Sequence, residues 1–539
     1  MRLKTIVLGL LAAGWLGAGI ATGAESKPAA GLIARVHFAG FNAVLADTNN
    51  ATLLNEIAAL PSTTELENSL ARKLSVVPFN FLKSRAPANA TDQSLRLRTL
   101  ADDLIHLESY AELWEPKGGV PGLALAVRVG AARSAFWSTN LAAVIESWTG
   151  MKVVTFSGSG YGGWELKKHH NPNVIRSVTA GDWAVFGWGQ DGVTGLAEIL
   201  ERIKKQGNPA TPLKDAWLEA WADLPALATF QTNQIPFELP QLTVNFSTRS
   251  NFIRTKADLQ FREPLNLSLT PWNIPTNLVR NPLIYFTAAR GVSSWLEKSE
   301  TVRGMNLKPT PNELFHWGST KLVFESFLAA PYPNATNALR EFAPGIIAQA
   351  NRHLAVRGVG NWRWNSTNRV IEWTSMPTMI APHLGATSGT NGSYLVAGLW
   401  QPLRGLAQAP PELFNQVYAK PNLVYYDWEV TGEHLSYWRN LYLLYTTSTG
   451  RFYGPADVSI QSWLESLAEK LSAAGPTVTE VTLAAPNQLS LVRKSTLGFT
   501  ALEWTALERW IGSPGFPLSY EYTPRFKLKP SKVTETSGK

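Results

Sequence analysis

Apolar residues recur at helical spacing along three N-terminal stretches, at 53–60, 65–74 and 94–114. From Gly122 the pattern changes to strict alternation of apolar residues up to Val129, which predicts a strand. The chain therefore opens with helices and passes into mixed structure.

The alternation is followed by a regular succession of helical and strand patterns separated by Gly, Asn and Pro turns. This order of strand, helix, several strands and helix predicts an α+β fold in which helices pack on mainly antiparallel sheets. The predicted elements are a helix at 133–148, strands at 152–156, 163–167, 174–178 and 183–188, and a helix at 194–205.

A weak internal similarity indicates duplication. Pro421-Asn-Leu423 resembles Pro121-Gly-Leu123, and similar pairs of short matches follow in the same order. We therefore expect residues 120–206 and 421–512 to be two divergent copies of one mixed module. The strand-rich, proline-punctuated region 239–272 separates them, so the predicted boundary lies near residue 280. The two expected halves are 25–280 and 281–521.

The chain ends differ from its body. Arg2 and Lys4 precede an apolar stretch that closes with small residues at Ala24, the order of a Sec-type signal peptide over residues 1–24. Cleavage would make the protein exported, periplasmic or extracellular, and the alternative is an uncleaved N-terminal anchor. Residues 522–539 form a basic segment that we expect to be a flexible tail.

Composition narrows the function classes. The 539 residues carry a net charge of +8, only 17% charged residues, 21 Trp and no Cys, which excludes disulfides and thiolate chemistry. Basic residues are scattered among acids, so no nucleic-acid surface is expected. The sequence also predicts no cofactor, no metal site and no membrane span after signal removal.

The most chemically suggestive segment is Tyr425-Tyr-Asp-Trp-Glu429. Asp427 and Glu429 share a strand face, and paired carboxylates can divide acid and base roles. Asp427-Trp-Glu429 resembles the end of the catalytic motif of chitinase-type glycosidases, which implies a polysaccharide hydrolase. The resemblance covers three residues, and Asn422 and Tyr425 occupy the upstream acidic positions. A structural ion pair is the alternative.

A group of tryptophans is a second candidate functional site. The stretch 361–373 predicts a hairpin in which Trp364 pairs with Arg369, with Trp362, Trp364, Ile371 and Trp373 on one face. Three tryptophans on one face can stack against sugar rings as a ligand-binding platform, or they can pack in a core. We favour the core.

Other motifs are weaker. Gly158-Ser-Gly-Tyr-Gly-Gly163 matches a dinucleotide-binding spacing, but no helix pattern follows it, so we expect a glycine-rich hairpin. His169 and His170 are neighbours on a predicted strand and point to opposite faces, which disfavours chelation. Isolated histidines such as His316 and His434 are expected to be structural.

Three functions remain open. The first is an exported non-catalytic envelope protein that binds an apolar or polymeric ligand, such as a lipid or glycan, or an envelope protein partner. The second is a hydrolase that uses Asp427 and Glu429. The third is a structural envelope component. The pattern favours the first.

Overall fold

A computed structural model describes most of the chain from residue 31 to 516. The described residues are 31–47, 51–82, 90–117, 120–158, 160–167, 173–190, 195–229, 238–249, 252–319, 325–354, 360–374, 382–389, 392–399, 407–449, 458–513 and 516. The expected signal peptide, the basic tail and the pair His169-His170 lie outside them.

Helices and strands occur in similar amounts, so the α+β fold class is confirmed. The described helices are α1 (Phe41–Ala46), α2 (Ala51–Ala58), α3 (Pro61–Leu82), α4 (Ala90–His106), α5 (Ala131–Thr149), α6 (Leu196–Gln206), α7 (Leu224–Ala228), α8 (Ser293–Leu296), α9 (Glu300–Met305), α10 (Ala335–Leu354), α11 (Pro411–Tyr418), α12 (Thr431–Thr449), α13 (Val458–Ala473) and α14 (Ala501–Gly512).

The first ten strands lie between residues 32 and 260. They are β1 (Leu32–Phe38), β2 (Ser109–Lys117), β3 (Val120–Arg128), β4 (Val154–Gly158), β5 (Tyr161–Lys167), β6 (Asn173–Ala180), β7 (Trp183–Gln190), β8 (Ala216–Asp223), β9 (Gln241–Arg249) and β10 (Phe252–Gln260).

Ten further strands lie between residues 285 and 495. They are β11 (Tyr285–Arg290), β12 (Glu313–Gly318), β13 (Ser326–Pro331), β14 (Asn361–Asn365), β15 (Val370–Thr374), β16 (His383–Gly389), β17 (Gly392–Gly398), β18 (Leu423–Glu429), β19 (Thr477–Ala485) and β20 (Gln488–Ser495).

Two compact units divide the chain. Unit 1 contains the described residues up to Asn266, the segment Asn422–Thr431 and the described residues from Ser459 onward. Unit 2 contains Leu267–Pro421 and the described part of Gly432–Val458. The units are therefore interleaved along the sequence, whereas the sequence analysis expected two consecutive halves.

The strands of unit 1 form one antiparallel sheet in the order β4-β5-β6-β7-β3-β2-β1-β8-β9-β10-β20-β19-β18. Pairing of β10 with β20 brings together strands that are far apart in sequence, with Thr255 opposite Arg493. The helices α5 and α6 pack on opposite faces of β3, because its buried residues alternate between two core clusters.

Unit 2 has an antiparallel sheet in the order β11-β12-β13-β17-β16-β15-β14. Helix α10 covers its β14 end, where Leu339 and Ile346 pack against Ile371 and Leu395. The first seven strands of unit 1 follow the same order, β1-β2-β3-β7-β6-β5-β4. In both units a helix follows the third strand and another follows the seventh.

Duplication of residues 120–206 and 421–512 is not confirmed. The first segment contains a strand, a helix, four strands and a helix, whereas the second contains a strand, two helices, a hairpin and a helix. The strand order instead makes β3 through α6 comparable to β13 through α11. The short matches that indicated duplication are common to amphipathic helices and strand starts.

The prediction of a helix over 94–114 is wrong for the C-terminal part of this stretch. Helix α4 ends at His106, and Ser109–Lys117 is strand β2. Tyr110, Glu112 and Leu113 are all buried, so this strand shows no alternation in sequence. Pairing with β1 and β3 on both sides overrides the helical spacing.

Among the described residues, no helix is both long and apolar enough to cross a membrane.

Candidate functional site

Asp427 and Glu429 lie in strand β18, and both side chains are buried. The Glu429 Oε1 atom accepts hydrogen bonds from the backbone N–H of Ala501, at 2.8 Å, and from the hydroxyl of Thr431, at 2.9 Å. Ala501 is the first residue of α14. Glu429 therefore places a carboxylate at the positive end of a helix and satisfies one of its free amides.

Arg493 is the centre of the adjoining polar network. Its guanidinium donates two hydrogen bonds to Glu503, at 2.7 and 2.9 Å, one to the Thr479 hydroxyl at 2.9 Å, and one to the Gly498 carbonyl at 2.9 Å. The strand register places Thr479 directly between Asp427 and Arg493. This buried network fastens the sheet to the start of α14.

The network includes the capping box expected at Thr500. The Thr500 hydroxyl accepts from the Glu503 amide, and the Glu503 carboxylate accepts from the Thr500 amide at 2.8 Å. Neighbouring Tyr425 is kept neutral, because burial raises the pKa of its phenol and the carboxylates Asp427 and Glu429 raise it further. Each contact described here for Glu429 holds structure together.

The tryptophan hairpin forms with a different register from the expected one. Trp364 pairs with Ile371 and Trp362 with Trp373, because Asn365 rather than Trp364 closes the loop. The Asn365 side chain accepts from the amides of the following turn, which is typical of an Asx turn. The positive φ of Arg369 belongs to this turn.

The expected shared face is present. Trp362 and Trp364 pack with Ile371 against the α10 core, and the rings of Trp362 and Trp373 lie 5.5 Å apart. The Asn351 side chain donates to the Trp362 carbonyl and accepts from its amide, at 2.9 and 2.7 Å. All three indoles are partly buried, so this face belongs to the core of unit 2.

The glycine motif at 158–163 lies in the β4–β5 hairpin, as predicted. Gly158 pairs with Tyr161, and a strand rather than a helix follows. The geometry needed to cradle a pyrophosphate at a helix N-terminus is therefore missing from the described part of this segment.

A polar cluster in unit 2 was missed by the sequence analysis. The Tyr285 hydroxyl lies 2.8 Å from Ser326 Oγ and 3.0 Å from His316 Nε2, and the two latter atoms are 3.1 Å apart. His434 of α12 stacks on the Tyr285 ring with centroids 4.1 Å apart. We call Tyr285, His316, Ser326 and His434 the unit 2 cluster.

The surroundings of the cluster are apolar and aromatic. Tyr285 packs with Ile284, Tyr437 and Trp438. Burial and, to a smaller extent, the nearby His434 together lower the pKa of His316 to about 4, so the imidazole is neutral at pH 7. A neutral histidine beside two hydroxyls can both donate and accept hydrogen bonds.

Strands β11, β12, β13 and helix α12 bring the cluster together from distant parts of the chain. The available sequence signal was a histidine inside the strongly apolar run Leu314-Phe-His-Trp317, together with His434 one helical turn before Tyr437 and Trp438. Such histidines are usually structural, and sequence alone does not reveal that His316 and Ser326 are neighbours.

The common strand order allows a comparison of this site between the units. The last residue pairs of the β6–β7 and β16–β17 hairpins are Ala180–Trp183 and Gly389–Gly392. Counted from these pairs, Leu123 and Leu328 occupy the same position, opposite Trp188 and Ala397. Their partners on the next strand are Leu113 and His316. Unit 1 therefore has a leucine where unit 2 has the histidine of the cluster.

Leu113 is only 1% exposed and packs against Ile33, Ala34, Ala222 and Leu227. An entirely apolar arrangement therefore satisfies this place in the fold. The sheet can therefore form without polar side chains at this position. Buried polar side chains there lower stability unless every group is paired, so the unit 2 cluster is not explained by the needs of the sheet.

Within the described part of the chain, no group of three or more His, Asp or Glu side chains could hold a metal ion. No protein-family model, curated protein or solved structure matches the chain.

Proposed function

We propose that the protein is an exported, non-catalytic binding protein and that the unit 2 cluster contacts its ligand. One observation carries this proposal: the position that Leu113 occupies in unit 1, among apolar residues, is occupied in unit 2 by His316, among polar groups. Departures from the simplest packing of a fold are expected at functional sites.

An exposed apolar side chain beside the cluster supports the proposal. Leu328 pairs directly with His316 across β12 and β13 and is 43% exposed. An apolar surface with a few convergent polar groups is typical of small-molecule sites.

The carboxylates give less support to a hydrolase. Glu429 is 1% exposed and accepts from a helix amide and from Thr431. A general acid or base must reach a substrate, whereas these contacts account for the Glu429 carboxylate as a structural group.

The proposal is tested by native mass spectrometry of residues 25–539 purified gently from an envelope fraction. The wild type is expected to carry a bound small molecule, and His316→Leu, which restores the unit 1 residue, is expected to lose it while remaining folded. His106→Leu in α4 is a control with the same residue change in unit 1.

Ligand-free protein in every sample contradicts the binding proposal, and so does a stable oligomer without ligand, which favours a structural component. Undiminished ligand in His316→Leu contradicts the assignment of the site.

A further inference from the structure

Strand β10 carries cations on a solvent-exposed face of the unit 1 sheet. Burial alternates along the strand, with Ile253, Thr255 and Ala257 buried and the residues between them partly exposed. Arg254 and Lys256 therefore lie on the solvated face, where a ligand can reach them.

The strand register adds two more cations to this face. Lys494 of β20 lies directly opposite Arg254, and Arg249 of β9 lies opposite Phe252, two residues before Arg254. Both Lys494 and Arg249 are exposed. Opposite side chains are about 5 Å apart at Cβ, and residues two apart on a strand are about 7 Å apart. We call Arg249, Arg254, Lys256 and Lys494 the basic patch.

The charges of the basic patch are not neutralised by the fold. None of its four charged groups forms an ion pair with a described residue. Arg254 and Lys494 are like charges in directly opposite positions, which lowers the stability of a sheet. Strand β10 pairs on both sides, so Lys256 does not protect a free sheet edge. Unfavourable charges of this kind are expected where a protein recognises an anion.

Acids on the rest of the face limit the width of the ligand. Asp258 follows Lys256 by two residues on β10, and Glu219 and Glu480 lie two strands from Lys256 on either side. A membrane surface or a double helix would bring its phosphates close to these carboxylates, whereas a single narrow chain can follow the cations alone.

Hydroxyl and aromatic side chains on this face favour sugars. Ser247 lies opposite Arg254 on β9, and the partly exposed Trp428 of β18 lies two strands from Lys494 in the same row. A serine hydroxyl pairs with sugar hydroxyls, and an indole stacks on a sugar ring. The Lys494 ammonium lies 4.1 Å from the centre of the Phe252 ring, so this ring is not free to stack on a nucleic-acid base.

We infer that this face of unit 1 binds a single chain of an acidic polysaccharide, with carboxylates on Arg254 and Lys494 and a sugar ring on Trp428. Guanidinium groups suit this role because they bind carboxylates through two parallel hydrogen bonds. The inference goes beyond the proposed function, which concerns the unit 2 cluster.

Fluorescence anisotropy with labelled oligogalacturonate and its methyl ester at neutral pH tests the inference, since the two probes share a sugar chain and differ in charge. The wild type is expected to bind the acidic oligomer at least about tenfold more tightly than the ester. This affinity should fall as the salt concentration rises.

Arg254→Glu is the informative variant, because it replaces two like charges with an opposite pair. It is expected to weaken binding of the acidic oligomer at least about tenfold and to melt no lower than the wild type. Arg262→Glu is the matched control, since Arg262 is an exposed cation of unit 1 beyond the end of β10, and it should leave the affinity unchanged. Trp428→Leu should weaken binding severalfold.

The outcomes test each part of the inference. Binding of neither oligomer, or equal affinities in Arg254→Glu and Arg262→Glu, overturns the basic patch as a binding site. Unchanged affinity in Trp428→Leu overturns the stacking role. Equally tight binding of polyglutamate, oligothymidylate or phosphatidylglycerol vesicles overturns the polysaccharide class. The proposed function is tested separately, by the ligand that His316→Leu is expected to lose.

Discussion

Glu429 accepts a hydrogen bond from the backbone amide of Ala501 at 2.8 Å, so a buried strand carboxylate holds the first turn of a helix 72 residues further along the chain. A carboxylate that the sequence offered as a catalytic candidate thus accepts a hydrogen bond from the first turn of a helix and stabilises it. Acidic groups are stabilising at this end of a helix because the free amides and the helix dipole are positive there.

Replacing Glu429 should lower stability. Glu429→Ala leaves the Ala501 amide and the Thr431 hydroxyl without this acceptor, so the free energy of unfolding should fall by about 2–3 kcal/mol in urea titrations. Glu429→Gln keeps an acceptor oxygen and should cost about 1 kcal/mol. The control Glu198→Ala removes an exposed carboxylate and should have little effect. Unchanged stability in Glu429→Ala would favour a catalytic role.

Gly498 should tolerate no side chain. Its φ is +84°, and an added Cβ would lie 2.6 Å from the buried Phe246 ring. Gly150, at the end of α5, has a φ of +67° and open space around it. Gly150→Ala should therefore cost about 1 kcal/mol from backbone strain alone, and Gly498→Ala at least about 2 kcal/mol more from the clash. Equal melting temperatures for the two variants would show that Phe246 yields freely.

Stability should depend on pH through His316. Its pKa falls from the usual 6.5 to about 4 because of burial and the neighbouring His434. The unfolded chain therefore binds a proton in this interval that the folded chain does not. The contribution is fully present above pH 6.5 and is lost as the pH falls toward 4, by about 3 kcal/mol.

Urea unfolding at several pH values between 7 and 4 measures this effect. The wild type should lose more stability across the interval than His316→Leu, which has no group to titrate at this site. Parallel pH profiles for the two proteins would contradict the buried neutral histidine.

Asn351 should be needed to hold the tryptophan hairpin. Its side chain pairs with both backbone groups of Trp362 on β14, which ends the described sheet of unit 2. Asn351→Ala should cost about 2 kcal/mol, measured by urea unfolding, because two backbone groups lose their partner. Asn351→Asp, which keeps an acceptor for the Trp362 amide, should cost less. A larger loss in Asn351→Asp would contradict this order and would show that repulsion between the carboxylate and the Trp362 carbonyl outweighs the retained acceptor.

The sequence predicted local structure well where one face of an element is buried. The strand beginning near Gly122, the helix around 133–148 and the Thr500 capping box are present because each depends on neighbouring residues. Strand β2 was missed because burial on both sides removes alternation. Sequence also placed Asp427 and Glu429 on one face without revealing Ala501 or Arg493, since these partners depend on long-range pairing.

The candidate site was even less predictable. His316 and His434 are 118 positions apart in the chain, and their common contact with Tyr285 follows from the packing of α12 on the sheet of unit 2. The comparison of Leu113 with His316 required the strand order of both units. The register error at Trp362 arose from a single turn, because Asn365 closes the loop with its own side chain.

The interleaving of the two units sets the order in which the protein matures. Strand β10 finds its partner β20 only after the chain has been extended from Gln260 to Gln488. At a synthesis rate of about 5–20 residues per second, β10 remains without its partner strand for on the order of ten seconds or more. Residues Leu267–Pro421 of unit 2 are synthesised during this interval. The last quarter of the chain thus completes the sheet of unit 1. A prematurely terminated chain would expose an unpaired sheet edge to proteolysis and aggregation.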